Sequence, residues 1–142
     1  ELDQRVEDVA GMPLGEIFAT HGEGYYRRLE KEMLAQLFAE ASASGGCIFA
    51  PGGSIVTDAE SWEQIKRRCF TVWLHATPAE FMNRMRSQGD TRPMQGRPAA
   101  MAELKELLKR REPFYGESRL IIKTTGKTPS EIVTQIVKAI SN

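Results

Sequence analysis

Apolar residues recur every three or four positions along most of the chain, and glycine or proline separates the runs. This spacing places the apolar side chains on one face of an α-helix. It predicts short helices over residues 3–10 and 13–20. It also predicts a long helix over residues 25–42, which Gly45 and Gly46 end.

Capping residues mark further helices in the rest of the chain. Asp58 is placed to cap a helix that runs to about residue 68. The sequences at residues 77–80 and 128–131 are capping boxes with proline at the first helical position, and each predicts the start of a helix. Between these two boxes, a helix over residues 99–111 is predicted to end before Pro113.

Short apolar runs alternate with these helices. Residues 47–50, 70–74 and 120–124 predict strands, the first of them buried on both faces, and Leu2 is a candidate for the end of a fourth. Strands that alternate with helices form a parallel sheet through right-handed crossovers, so the predicted class is α/β. Cys47 and Cys69 border strands and are predicted to be small buried hydrophobes.

The composition is that of one ordinary globular domain. The 142 residues are 41% hydrophobic and 27% charged, and 19 basic residues balance 19 acidic ones, so no global charge points to nucleic acid or to a membrane surface. No apolar run has the length of a membrane helix. The two cysteines have no metal-binding spacing and form no disulfide framework, and the predicted location is therefore the reducing cytoplasm. The chain begins Glu-Leu-Asp, without a methionine or a targeting pattern.

Ligands of open α/β sheets bind outside the carboxyl ends of the strands. Three segments fall there: residues 1–3, the turn Gly52-Gly53-Ser54, and the turn after Leu74. Glycines after a strand let a ligand approach the backbone and leave N–H groups for an anion. The alternative is that Gly52 and Gly53 only form a tight turn.

Three arginines lie near glycine turns or in loops and predict an anionic ligand, because a guanidinium binds a carboxylate or phosphate with two parallel hydrogen bonds. Arg27 begins the long helix, Arg92 lies in a predicted mobile loop over residues 89–98, and Arg111 ends a helix. The alternative is that each is a solvated surface charge. His21 and His75 have no partner at ligand spacing and are interpreted as structural.

With these residues in place, the chain resembles shikimate kinase over nearly its whole length. The resemblance implies a P-loop-kinase-like parallel sheet flanked by helices. It also implies that Asp3 holds and helps to activate substrate hydroxyls, that Arg27 and Arg111 clamp the substrate carboxylate, that Gly52 and Gly53 line that site, and that Arg92 reaches the transferred phosphate from a lid. The residues that carry the resemblance are Asp3, Val6, Glu7, Gly11, Ile17, Phe18, Gly22, Glu23, Tyr26, Arg27, Glu30, Gly52, Gly53, Val72, Trp73, Leu74, Arg92, Pro93, Arg111, Pro113 and Tyr115.

The chain also departs from shikimate kinases. It contains no Walker A loop, whose backbone N–H groups hold phosphates and whose hydroxyl holds Mg²⁺. Glu1 stands where the family has a magnesium-linked aspartate, Ser54 stands at the third position of a triple glycine, and Met94-Gln95 replaces a pair of leucines. The family has five parallel strands, so the sequence predicts a domain over residues 1–142 that lacks its N-terminal strand and Walker A loop. No cofactor is therefore expected in this chain, and ATP and Mg²⁺ only if that loop is present upstream.

Residues 69–78 and 88–94 are more similar to the C-terminal domain of benzoyl-CoA-responsive regulators of the XRE family. This resemblance implies an effector domain that binds an acyl-CoA such as benzoyl-CoA and controls an absent N-terminal helix-turn-helix, in a homodimer that contacts DNA only through that missing part. The sequence-based prediction of function is this regulator, and an N-terminally truncated shikimate kinase is the alternative. A structural domain with an inactive pocket is a third hypothesis.

Overall fold

The computed structural model describes residues 1–89 and 99–142, which form seven α-helices, one 3₁₀ helix and two strands. These elements divide into two compact units, Glu1–Ser61 and Trp62–Asn142. No helix in the described part of the chain is long and apolar enough to span a membrane.

The first unit is built on a long central helix. The helices are α1 (Leu2–Ala10), α2 (Leu14–Thr20) and α3 (Gly22–Ser44), and α1 and α2 both pack against α3. Their apolar faces meet in a core, as the periodicity predicts. Gly45 ends α3 in the left-handed region at φ 84°, which glycine adopts without steric cost. The core residues of these helices are Leu2, Val6, Ile17, Tyr26, Leu29, Met33, Leu34, Leu37 and Phe38.

The prediction of a buried strand over residues 47–50 is wrong. The segment is not part of a sheet, Cys47 is exposed rather than a buried hydrophobe, and Ile48 is fully exposed. A buried strand needs hydrogen-bonded neighbours to satisfy its backbone, whereas this segment receives one backbone hydrogen bond, from the Leu2 amide to the Ala50 carbonyl at 2.9 Å. Leu2 itself begins α1 and does not end a strand.

After residue 50 the chain turns through a short 3₁₀ helix (Gly53–Thr57) and enters α4 (Ala59–Arg68). The side chain of Asp58 accepts a hydrogen bond from the Ser61 amide at 3.1 Å, so the predicted cap is confirmed. Ile55 and Val56 of the 3₁₀ helix are buried. This compact turn brings the glycines of residues 52–53 next to the start of α1.

The second unit contains a parallel two-stranded sheet. Strand β1 (Val72–His75) pairs with β2 (Leu120–Lys123) in the register Val72 to Leu120 through His75 to Lys123. Between the strands lie α5 (Pro78–Ser87) and α6 (Ala100–Tyr115), and α7 (Pro129–Ser141) packs against β2. A parallel sheet with helical connections confirms the predicted α/β class.

Both capping boxes form as predicted. At the start of α7, the Thr128 hydroxyl accepts from the Glu131 amide at 3.3 Å and the Glu131 carboxylate accepts from the Thr128 amide at 2.7 Å. Helix α6, however, does not end before Pro113 but continues to Tyr115. Proline removes only its own N–H donor, and the next turn still closes because the Gly116 amide donates to the Glu112 carbonyl at 2.8 Å.

Candidate functional site

The candidate site lies in the first unit, where three segments meet. Asp3 is in the first turn of α1, Tyr26, Arg27 and Glu30 are in the N-terminal half of α3, and the turn at residues 52–57 precedes α4. Positions 26 and 30 are one helical turn apart, so their side chains lie on the same face of α3. The packing of α1 against α3 brings Asp3 to that face.

The Tyr26 hydroxyl joins two carboxylates. Its oxygen lies 2.7 Å from Asp3 Oδ1 and 2.8 Å from Glu30 Oε2. The side chain is almost completely buried, and its ring contacts the Phe18 ring at 4.9 Å between centroids. Burial first, and then the hydrogen bonds and charges of Asp3 and Glu30, hold the pKa of Tyr26 well above its ordinary value. The phenol is therefore a hydrogen-bond donor over the whole physiological pH range.

The guanidinium of Arg27 is fixed from two sides. Its Nη1 donates to Glu30 Oε1 at 2.7 Å, and its Nη2 donates to the Ser54 carbonyl and the Thr57 hydroxyl, both at 3.2 Å. Partial burial acts to lower the pKa of Arg27, but the hydrogen bond and charge of Glu30 outweigh it and raise this pKa above its ordinary value. The side chain keeps 18% of its surface exposed. It is a permanent, oriented positive charge that still reaches solvent.

Gly52 lies against the carboxylate of Asp3. A Cβ atom at position 52 would be 2.7 Å from Asp3 Oδ2 and 3.2 Å from Asp3 Cγ. No side chain fits at that distance without displacing the carboxylate, so glycine is required here by close approach. Gly53 follows as the first residue of the 3₁₀ helix.

The other two predicted arginines lie in the second unit or outside the described residues. Arg111 lies on α6 in the second unit, and among the described residues its Nε is buried without a hydrogen-bond partner. Arg92 lies outside the described residues. The structure thus brings Asp3, Arg27 and Gly52 together through Tyr26 and Glu30, and it describes Arg111 separately.

Residue-by-residue reasoning gave no role to Tyr26, Glu30 or Thr57, which hold this cluster together. A signal was present for the first two. The spacings from Arg27 to Glu30 and from Tyr26 to Glu30 are three and four residues, which place side chains in contact on a helix. Thr57 is 30 residues from Arg27 and carries no such signal.

The carboxylates of this cluster do not form a metal site. Within residues 1–89 and 99–142, no three His, Cys, Asp or Glu side chains are grouped so that they could hold one. Asp3 and Glu30 share the Tyr26 hydroxyl, and the other carboxylate oxygen of Glu30 accepts a hydrogen bond from Arg27. These residues do not fit a Mg²⁺ site, because both carboxylates are bonded to Tyr26 and Glu30 is also paired with Arg27.

The sequence was then compared with known proteins. The family model described as shikimate kinase matches residues 1–141. The chain belongs to the shikimate kinase family. It is 34% identical over 141 residues to a shikimate kinase of Synechococcus sp. strain JA-3-3Ab, covering 99% of this chain and 72% of that one. It is 33% identical over 140 residues to the shikimate kinase of Symbiobacterium thermophilum, of which it covers 78%.

Solved structures of the same family share the fold. The shikimate kinase from Acinetobacter baumannii in complex with shikimate superposes with a TM-score of 0.84 at 24% identity, over 98% of this chain and 75% of that one. The shikimate kinase from Aquifex aeolicus has a TM-score of 0.78 at 28% identity and is covered over 79% of its length. The predicted shikimate-kinase-like parallel sheet flanked by helices is thus confirmed.

The predicted ligand-sensing regulator is wrong. The relatives that the chain matches along nearly its whole length are named shikimate kinases, and the similarity of residues 69–78 and 88–94 to regulators does not outweigh that match. Two short segments carry less information than an ordered match over the whole domain. The predictions of an XRE family member, an acyl-CoA effector and a helix-turn-helix depended on that hypothesis and gain no support. The predicted homodimer stays a prediction.

Proposed function

We propose that the protein is a shikimate kinase, in which this chain binds shikimate and activates its hydroxyl for phosphoryl transfer. The main support for this proposal is the set of contacts that the Asp3 carboxylate makes, in a chain that belongs to the shikimate kinase family. One carboxylate oxygen of Asp3 is held by Tyr26 at 2.7 Å, and the other faces Gly52, where no side chain intervenes. Among the described residues no group donates a hydrogen bond to the second oxygen, and in this proposal it accepts one from a ligand hydroxyl.

In this proposal Asp3 acts as a general base. As the substrate oxygen forms its bond to the transferred phosphorus, the bond from that phosphorus to ADP breaks and ADP leaves. The substrate O–H bond also breaks, and its proton goes to Asp3 Oδ2. A positioned carboxylate contributes roughly 10²–10⁴-fold to such a step. Asp3 is half-buried at the start of α1, so part of its side chain stays accessible to a ligand.

Arg27 supplies the complementary charge for the substrate carboxylate. Its guanidinium is held by Glu30, Ser54 and Thr57, so little conformational entropy is lost when a ligand binds. We include Arg111, Gly53 and Arg92 in the proposed site by resemblance: Arg111 as the second arginine at the carboxylate, Gly53 in the lining backbone, and Arg92 at the phosphate.

Members of this family use ATP with Mg²⁺. In this proposal the described residues bind the phosphoryl acceptor. The proposed division is that Asp3, Arg27 and Gly52 hold the phosphoryl acceptor, while the phosphoryl donor binds to parts of the protein outside this cluster.

The test is the steady-state kinetics of the full-length protein with shikimate and ATP. Asp3→Asn should lower kcat by about 10²–10⁴-fold and change the KM for shikimate much less, since the amide still accepts hydrogen bonds but takes up no proton. Asp8→Asn is the matched control, because Asp8 lies on the same helix with an exposed hydrogen bond to Gln4. Activity of Asp3→Asn equal to that of Asp8→Asn would overturn the assignment of the base.

A further inference from the structure

The Tyr26 hydroxyl has two negatively charged neighbours and one hydrogen. Asp3 Oδ1 lies at 2.7 Å and Glu30 Oε2 at 2.8 Å, and ionised carboxylates only accept hydrogen bonds. The hydroxyl can therefore satisfy one of the two carboxylates at a time. Rotation about its C–O bond is all that is needed to move the hydrogen from one acceptor to the other.

The two acceptors differ in how their charge is compensated. Glu30 is completely buried, and its other oxygen accepts from Arg27 at 2.7 Å, so its charge is neutralised by an ion pair. Within the described residues no cation lies within salt-bridge distance of Asp3. As long as Asp3 is ionised, its charge is compensated less than that of Glu30, and the Tyr26 hydroxyl therefore donates to Asp3.

We propose that Tyr26 is a positioning residue whose hydroxyl turns from Asp3 to Glu30 when Asp3 takes up the substrate proton. This inference rests on the proposed function. Before the transfer, the hydrogen bond to Oδ1 stabilises the Asp3 carboxylate and fixes its rotamer, with Oδ2 directed to the substrate. After the transfer, neutral Asp3 is the weaker acceptor, and the hydroxyl donates to the ionised Glu30.

The proton count of this transfer step balances. One proton leaves the substrate hydroxyl and arrives at Asp3 Oδ2, and the tyrosine keeps its own hydrogen throughout. The high pKa of Tyr26, which burial and its two carboxylate neighbours cause, is consistent with that. The charged groups in contact with the Tyr26 side chain are Asp3 on α1 and Arg27 and Glu30 on α3. Helix α2 contacts it through the Phe18 ring.

Tyr26→Phe removes the hydroxyl and leaves the ring. In the full-length protein we expect kcat for shikimate phosphorylation at neutral pH to fall about tenfold, with a smaller change in KM. The acid limb of the kcat profile should move to higher pH by about one unit, since an ionised group that loses a hydrogen bond is protonated more readily. Tyr25→Phe is the matched control, because it removes the same atom from the neighbouring residue, whose ring stacks on His21.

A Tyr26→Phe protein with the wild-type pH profile would overturn the inference, and so would an effect on KM alone. If wild-type protein does not phosphorylate shikimate, the proposed function fails. The turn of the Tyr26 hydroxyl from Asp3 to Glu30 is then tested by a measurement that needs no activity.

That measurement is a carbon-13 NMR titration of the wild-type protein. The Asp3 Cγ resonance reports protonation of the carboxylate, and the Tyr26 Cζ resonance reports the hydrogen bond of the phenol. We expect both resonances to change at the same pH, while the Tyr25 Cζ resonance stays constant over that range. A Tyr26 Cζ resonance that does not respond when Asp3 is protonated would show that the hydroxyl does not change partners. Because the wild-type protein is used, this result does not depend on the folding of a variant.

Discussion

Replacing Gly52 by alanine would test how closely the turn at residues 52–57 approaches the carboxylate of Asp3, the proposed base. The added methyl group would lie 2.7 Å from Asp3 Oδ2 and 3.2 Å from Asp3 Oδ1. Asp3 has little freedom to yield, because Tyr26 holds Oδ1 at 2.7 Å. Either that hydrogen bond breaks as the carboxylate rotates, or the turn moves away from α1.

The two consequences of Gly52→Ala differ in size. Displacing a reacting group by about 1 Å costs on the order of 10²-fold in rate, so kcat should fall by about that factor. The stability cost should be small. The backbone of Gly52, at φ −61° and ψ 145°, is ordinary for alanine. Crowding costs about 1–3 kcal/mol, and the lower entropy of the unfolded chain offsets about 0.4–1 kcal/mol of it.

The assay is kcat at saturating shikimate in the full-length protein, measured together with urea unfolding. Gly15→Ala is the control, since a Cβ at position 15 in α2 has nothing within 4 Å. It should leave kcat unchanged and add roughly 0.5–1 kcal/mol of stability. The reasoning would be refuted if Gly52→Ala kept wild-type kcat, because the methyl group would then occupy the space assigned to Asp3 and its substrate without effect.

Two further predictions concern stability. Glu30→Gln should lower the free energy of unfolding by about 2 kcal/mol, because it removes the charge that is paired with Arg27 in a buried position; urea unfolding at neutral pH measures this loss. The pKa of Asp58 is lowered in the folded state: burial alone would raise it, but the hydrogen bonds from Ser61 and the charge of Lys31 outweigh that effect. Its stabilising contribution is therefore present above the unfolded pKa of about 4 and is lost as the pH falls through the lower folded value. The stability difference between wild type and Asp58→Asn should accordingly shrink below about pH 4 in an acid unfolding series.

Each of these predictions has a result that contradicts it. For Glu30→Gln the control is Glu40→Gln, which breaks an exposed pair with Arg5 and should cost less than about 1 kcal/mol. If both variants lost the same free energy of unfolding, burial of the ion pair between Glu30 and Arg27 would make no additional contribution to stability. For Asp58→Asn, a stability difference that stays constant or grows as the pH falls below about 4 would contradict the lowered pKa of Asp58.

The helices were predictable because their signals are local. Apolar spacing places α1 to α3 correctly, and the boxes at Thr77 and Thr128 give the starts of α5 and α7, since each signal acts within one or two helical turns. The strand predicted at residues 47–50 failed because a strand depends on distant partners, which an apolar run does not specify. Pro113 was interpreted too strictly, because a proline in the last turns of a helix removes only one donor.

The site was predictable only in part. Family resemblance singles out Asp3, Arg27 and Gly52, and the structure brings them together. The sequence does not reveal that Tyr26 joins Asp3 to Glu30. Asp3 on α1 and Tyr26 on α3 are 23 residues apart, and their contact follows from helix packing rather than from local spacing. The distance between Gly52 and the Asp3 carboxylate has the same origin. Sequence similarity to regulators misled the functional hypothesis because it came from two short segments.

The most direct test of the central claim is the mass of the product formed when the full-length protein is incubated with shikimate and ATP. The account predicts that shikimate gains one phosphoryl group, that one ADP appears for each product molecule, and that Asp3→Asn suppresses both by about 10²-fold or more. Unchanged shikimate, with ADP release at the same rate whether or not shikimate is present, would contradict it.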